Sequence, residues 1–158
     1  IVNRYPKEQW AVQALTEQLF AAGRTRSLLT LFGQTVQNNS TNLAVLNNLA
    51  MTALLLEAWE KKPHDLAQAA YSKSPTNAFF ASTYAYSLLV QKKPEEALKT
   101  IEQLKPEELE VPSIAAYYGI ILTGSGQGDK AKKYLDLASK ARLLPEEQKL
   151  VEKARKGG

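Results

Sequence analysis

Few residues of this chain have the types and spacing that chemistry requires. The run Gly124-Ser125-Gly126-Gln127-Gly128-Asp129-Lys130 has the composition of a phosphate-wrapping loop. That chemistry needs Gly, four residues, Gly, Lys and then Ser or Thr, following a strand. Here Asp129 holds the second glycine's place, Ala131 follows Lys130, and a helical pattern precedes the run. A tight turn between two helices accounts for the glycines. His64, the single histidine, stands between Pro63 and Asp65 at a helix start, where an exposed first-turn residue is expected rather than a general base. Glu95-Glu96, Glu107-Glu108 and Glu146-Glu147 are sequence neighbours, so each pair points to different helix faces and forms no acid–base couple by itself. Asn38-Asn39-Ser40-Thr41 holds two overlapping glycosylation sequons, read here as loop. With no cysteine, disulfides, thiol chemistry and the usual zinc sites drop out. No catalytic constellation, metal site or cofactor site is left, and a non-enzymatic role is expected.

Bulk properties agree with a binding or structural role. The 158 residues make one domain's length, and 44% apolar content is enough for a core. Mean hydropathy is −0.31. No apolar run approaches the roughly 20 residues a membrane span needs. From Gly128 onward nine Lys and Arg oppose five Asp and Glu, a surplus of four that matches the whole chain's net +4. These cations alternate with acids on helical faces and lack the aromatic interleaving of nucleic-acid binders, so no nucleic-acid partner is expected. The chain begins at Ile1, not Met, and shows no basic-then-apolar leader, so the expectation is a removed leader or a piece of something longer, and its compartment stays unread.

The elements that carry these residues read as helices throughout. Apolar spacing places them at about 7–22, 26–38, 43–59, 63–73, 77–91, 95–104, 112–124, 129–142 and 146–156. Pro6, Pro63, Pro94, Pro112 and Pro145 stand in or near first turns, where the missing N–H costs nothing. Glu95, Glu96, Glu146 and Glu147 follow two of those prolines and complement the positive end of the helix dipole. Connections of two to six residues between such helices require antiparallel neighbours.

The helices echo one another. Ala85-Tyr86-Ser87-Leu88-Leu89 followed by Pro94-Glu95-Glu96-Ala97-Leu98 returns as Gly119-Ile120-Ile121-Leu122 followed by Gly128-Asp129-Lys130-Ala131. Ala85 to Gly119 and Ala97 to Ala131 are each 34 residues, a period that signals stacked helix pairs. The small residues let two backbones approach, while Tyr84, Tyr118, Tyr134, Ile101 and Leu135 fill the space around them. Ala50 to Ala85 is 35 residues, which implies one extra residue in the inner turn near 60–64, close to Trp59.

On these residues the chain resembles a tetratricopeptide repeat array. The resemblance divides residues 1–158, a single domain, into a degenerate repeat at about 9–42, repeats at 43–77, 78–111 and 112–145, and a solvating cap helix at 145–156. It implies an all-α, right-handed superhelix of antiparallel helix pairs, four of them plus the cap. It also implies a concave groove lined by the first helix of each pair. Carried over by position, the groove takes Asn47, Asn48, Met51 and Leu54 from repeat two. Repeat three supplies Phe79, Ser82, Thr83, Tyr86 and Leu89, and repeat four Ser113, Tyr117, Ile120 and Thr123. Gln13 and Glu17 come from repeat one. These positions carry no Lys or Arg, unlike the repeats that clamp an acidic C-terminus. The groove is expected to be neutral, with aromatic and aliphatic residues, and to take a protein or peptide segment bearing apolar anchors. The alternatives are a stretch of a longer scaffold, self-association through the ends of the array, or an accessory domain of a larger machine.

Overall fold

The computed structural model describes residues 9–38 and 41–157. Among them are ten α-helices, one 3₁₀ turn and no strand. The helices are α1 (Gln9–Ala21), α2 (Thr25–Asn38), α3 (Leu43–Leu55), α4 (Pro63–Lys73), α5 (Ala78–Val90), α6 (Pro94–Ile101), α7 (Pro106–Leu109), α8 (Pro112–Gly124), α9 (Gly128–Ala138) and α10 (Pro145–Gly157). The protein is an all-α helical repeat. Pro6, Asn39 and Ser40, and with them half of the sequon stretch, lie outside the described residues.

The period is written most clearly in the first helix of each pair. α3, α5 and α8 are each 13 residues long and begin at 43, 78 and 112, spacings of 35 and 34. Asn42 and Asn77 cap α3 and α5 identically, each side-chain oxygen accepting from the amides two and three residues on. The same helices end identically too. Gly23, Glu57, Lys92 and Gly126 are left-handed, with φ of 64°, 54°, 64° and 76°. At each, two reversed bonds close the helix, for example Lys92 N–H to Leu89 O at 2.9 Å and Lys93 N–H to Leu88 O at 3.0 Å. Only two of the four positions are glycine.

The surplus in the inner turn is larger than the sequence implies. α3 stops at Leu55, not residue 59, and seven residues separate it from α4, against three in the α5–α6 and α8–α9 turns. The extra four form the 3₁₀ turn Trp59–Lys61 and the left-handed Lys62. A shorter path from α4 to α5 then restores the spacing. Between α6 and α8, α7 is a helix that apolar periodicity does not announce, since only Leu109 of its four residues is buried.

α3, α5 and α8 pack side by side as one layer, with α4, α6 and α9 outside them. A large apolar cluster joins Leu54, Ala85, Ile101, Tyr118, Ile121 and Leu135 with Val151 and Ala154 of α10. A smaller one joins Leu28, Phe32 and Leu49 to Leu144, the residue just before α10. α10 therefore does more than cap. Its body covers α8 and α9, but its entry crosses to α2.

Candidate functional site

The side of the first-helix layer facing α1, α2 and the entry to α10 holds a cleft of about 490 Å³. α3 supplies Asn47, Asn48 and Met51 to its wall, α5 supplies Phe79, Ser82 and Thr83, and α8 supplies Ser113 and Tyr117. These are positions one helical turn apart on parallel-running elements, so they share a face. Phe79 is 56% exposed at the rim, a large ring left in water. Asn48, Met51 and Ser113 are half-buried, and Asn47 and Ser82 are buried. The side-chain oxygen of Asn47 has no hydrogen-bond partner among the described residues.

Tyr117 is turned inward. Its hydroxyl donates to Glu147 Oε1, and its ring lies 5.2 Å from that of Tyr86 at 57°. Burial, then the Glu147 charge, pushes the Tyr117 hydroxyl well above its ordinary value. Burial, with Glu57 and Glu147 nearby, pushes Tyr86 up to about 12. Burial raises Glu147 above the usual carboxylate value, against the lowering effect of its bonds from Tyr117 and from the Leu144 N–H at 2.7 Å.

Other expected groove residues lie elsewhere. Leu54, Tyr86 and Ile120 belong to the main core, each no more than 9% exposed. Leu89 packs where a Cβ on Gly124 would fall, 2.7 Å from its Cδ1. Thr123 donates to Gly119 O and borders a separate small hollow with Lys132 and Arg155. Gln13 and Glu17 face solvent on α1 and bond each other at 3.3 Å. The reason is geometric. Position 12 of each first helix lies one turn beyond the cleft, and the ninth position of α5 and α8 turns toward the neighbouring pair.

Residues the sequence did not mark complete the cleft: Thr16 and Phe20 from α1, Phe32 from α2, and Arg142, Leu144 and Glu147 from the stretch before and into α10. The wall is thus not free of charge, because Arg142 and Glu147 both reach it. The Leu143-Leu144-Pro145 run was the available signal, two aliphatics set against a helix start at the end of the last repeat.

His64 is not the exposed residue its position suggests. Its Nδ1 lies 3.1 Å from Ser87 Oγ, and its ring is 5.6 Å from that of Tyr84. Ser87 Oγ donates to Tyr84 O at 2.7 Å, so it is committed to the backbone and is no activated nucleophile. Among the described residues, no three of His, Asp and Glu gather as a metal would require, and no helix is long and apolar enough to cross a membrane. Set against known proteins, the chain is matched by no family model, no curated protein and no solved structure.

Proposed function

We propose that this chain is a non-enzymatic protein-interaction domain of the tetratricopeptide type, its helix pairs wound as a right-handed superhelix. On this reading it takes a segment of a partner protein into the cleft between α3, α5, α8 and the entry to α10. The observation that carries the reading is the buried Asn47 acceptor with no protein donor, inside a mostly apolar cleft whose rim exposes Phe79. A buried unsatisfied acceptor costs about 1–3 kcal/mol. With the Asn47 side chain turned toward the cleft, a backbone N–H of an incoming segment would meet it, while an apolar side chain of that segment covers Phe79 and Met51.

A random peptide library selected on the wild-type chain tests this. Selected peptides should carry apolar residues and lose about tenfold or more in affinity on Phe79→Ala, as a contact of roughly 1.4 kcal/mol requires. They should be indifferent to a Lys149→Gln, Lys153→Gln, Lys156→Gln triple variant. Dependence on the three lysines instead would put the binding surface on α10's outer face. A second reading, an assembly stretch that stacks end to end, is favoured by Trp10, 57% exposed on α1. Concentration-dependent sedimentation abolished by Trp10→Ser would support it.

A further inference from the structure

α10 is held at its two ends by different parts of the molecule. Val151 and Ala154 join the main core, and Arg155 donates to Leu135 O at 2.6 Å. The entry, Leu144 to Glu147, joins the other cluster. Leu144, 3% exposed, packs with Leu28, Phe32 and Leu49. Thr25 Oγ1 donates to Glu146 Oε2 at 2.5 Å, and Tyr117 to Glu147. The six residues between α9 and α10 contain no helix, so this entry is a strap on an irregular connection. It lies against the same cleft that Asn47 and Phe79 line.

We infer that Leu144–Glu147, one wall of the open cleft, also fills its α2 end against Leu28, Phe32 and Tyr117, and that the partner is a segment of the same chemistry. That segment would carry an aliphatic anchor followed three residues on by a carboxylate, and would bind by taking the strap's place. The inference rests on the groove reading above and adds to it what the cleft accepts and what must leave. The strap shows the fit directly: an aliphatic side chain between Leu28 and Phe32, and a carboxylate accepting from Tyr117. Release does not require α10 to detach, because its body is anchored through Val151, Ala154 and Arg155. The first turn of a helix opens far more readily than its middle. A tethered occupant acts at an effective concentration on the order of millimolar. A free segment therefore binds with an apparent affinity reduced by the fraction of molecules whose strap is open.

The experiment uses a fluorescein-labelled peptide of residues 141–152, Ala-Arg-Leu-Leu-Pro-Glu-Glu-Gln-Lys-Leu-Val-Glu, titrated by anisotropy against the full chain. The receptors are wild type, Leu144→Ala and the milder Glu146→Gln, each confirmed helical by circular dichroism. The peptide should bind both strap variants more tightly than wild type, by about tenfold or more for Leu144→Ala. The same peptide carrying Leu144→Asp should not bind. Equal affinity for wild type and both variants, no binding to any, or equal binding by the Leu144→Asp peptide would each overturn the strap's role. Library-selected peptides that depend on Phe79 but ignore both strap variants would also overturn it, leaving the groove reading intact. Loss of their Phe79 dependence would remove the groove reading itself.

Discussion

Gly119 gives the sharpest test of how the repeats pack. A Cβ built there would stand 2.7 Å from both Cγ and Cδ2 of Leu135 and 3.1 Å from its backbone nitrogen. Leu135 is 3% exposed and borders the small hollow beside Lys132 and Arg155, so its side chain gives way only by repacking there, while its backbone nitrogen stays fixed. Gly119→Ala gains about 1 kcal/mol of helix propensity. Against this, overpacking of a filled core costs about 1–3 kcal/mol, and the rigid backbone nitrogen places this site toward the upper end. The expected net is a loss of about 1–2 kcal/mol, a fall in Tm of about 2–8 °C for a chain of this length. Gly33 on α2 is the control, because nothing lies within 4 Å of a Cβ there. Gly33→Ala should stabilise by about 0.5–1 kcal/mol. The decisive variant is double. Leu135→Ala alone should cost about 2–5 kcal/mol. If the Leu135 side chain is what the added methyl group strikes, the double variant should cost less than the sum of the two by about 1 kcal/mol or more. Urea unfolding followed by far-UV circular dichroism measures all four. Additivity within about 0.5 kcal/mol would refute the contact, and with it the close approach of α8 and α9.

Three further outcomes follow from turns and titrations. Lys92→Gly should stabilise by about 1 kcal/mol, since a left-handed side chain is strained there, while Gly126→Ala at φ 76° should lose a similar amount although its Cβ meets nothing; matched thermal melts decide both. Glu147 has a folded pKa above its ordinary value. Its contribution is therefore fully present below about 4.5 and lost as pH rises through the raised value. Wild type should lose stability relative to Glu147→Gln across that window, and parallel pH profiles would contradict the buried placement. Tyr86 and Tyr118 are both pushed up to about 12, and Tyr117 is raised well above its ordinary value. Absorbance titration of phenolate should show these three ionising only with alkaline unfolding above about pH 10, while a single ordinary transition for every tyrosine would disprove their burial.

What the sequence made legible was the part fixed by local periodicity. The apolar stripes of α5 and α8, the small residues Ala85 and Gly119, and the prolines at helix starts mark an all-α array. The turns were partly hidden, because Glu57 and Lys92 occupy the left-handed slot that glycine usually advertises. Without a glycine, nothing local announces that the chain reverses there, and the helix over 43–59 reads four residues too long. The cleft was legible on its α3, α5 and α8 walls, where helical phase sets which residues share a face. It was not legible at Leu54, Tyr86 and Ile120. Whether a residue one turn away faces a groove or a neighbouring pair depends on the angle between pairs, which no single helix encodes.

The strap was hidden for a different reason, visible in three copies of one triplet. Pro-Glu-Glu occurs at 94–96, 106–108 and 145–147, each opening a helix. In two copies the local chemistry is the same. Glu108 accepts from the Lys105 N–H at 2.8 Å, and Glu147 from the Leu144 N–H at 2.7 Å, each closing the helix start from its third position. Glu96 instead lies 3.7 Å from exposed Lys93. Helix-start physics alone accounts for Glu96 and Glu108, which meet solvent. Glu147 differs only in what stands opposite it. A buried tyrosine from α8 donates to it, and the residue before its proline is Leu144, drawn into the cluster of α2 and α3, where Glu108 has Lys105 left in water. An aliphatic in place of a lysine at that one step moves a solvated cap into the cleft, and a carboxylate that is ordinary at 108 becomes, at 147, the acceptor that ties α8 to the start of α10, while Leu144 and Glu146 beside it reach α2.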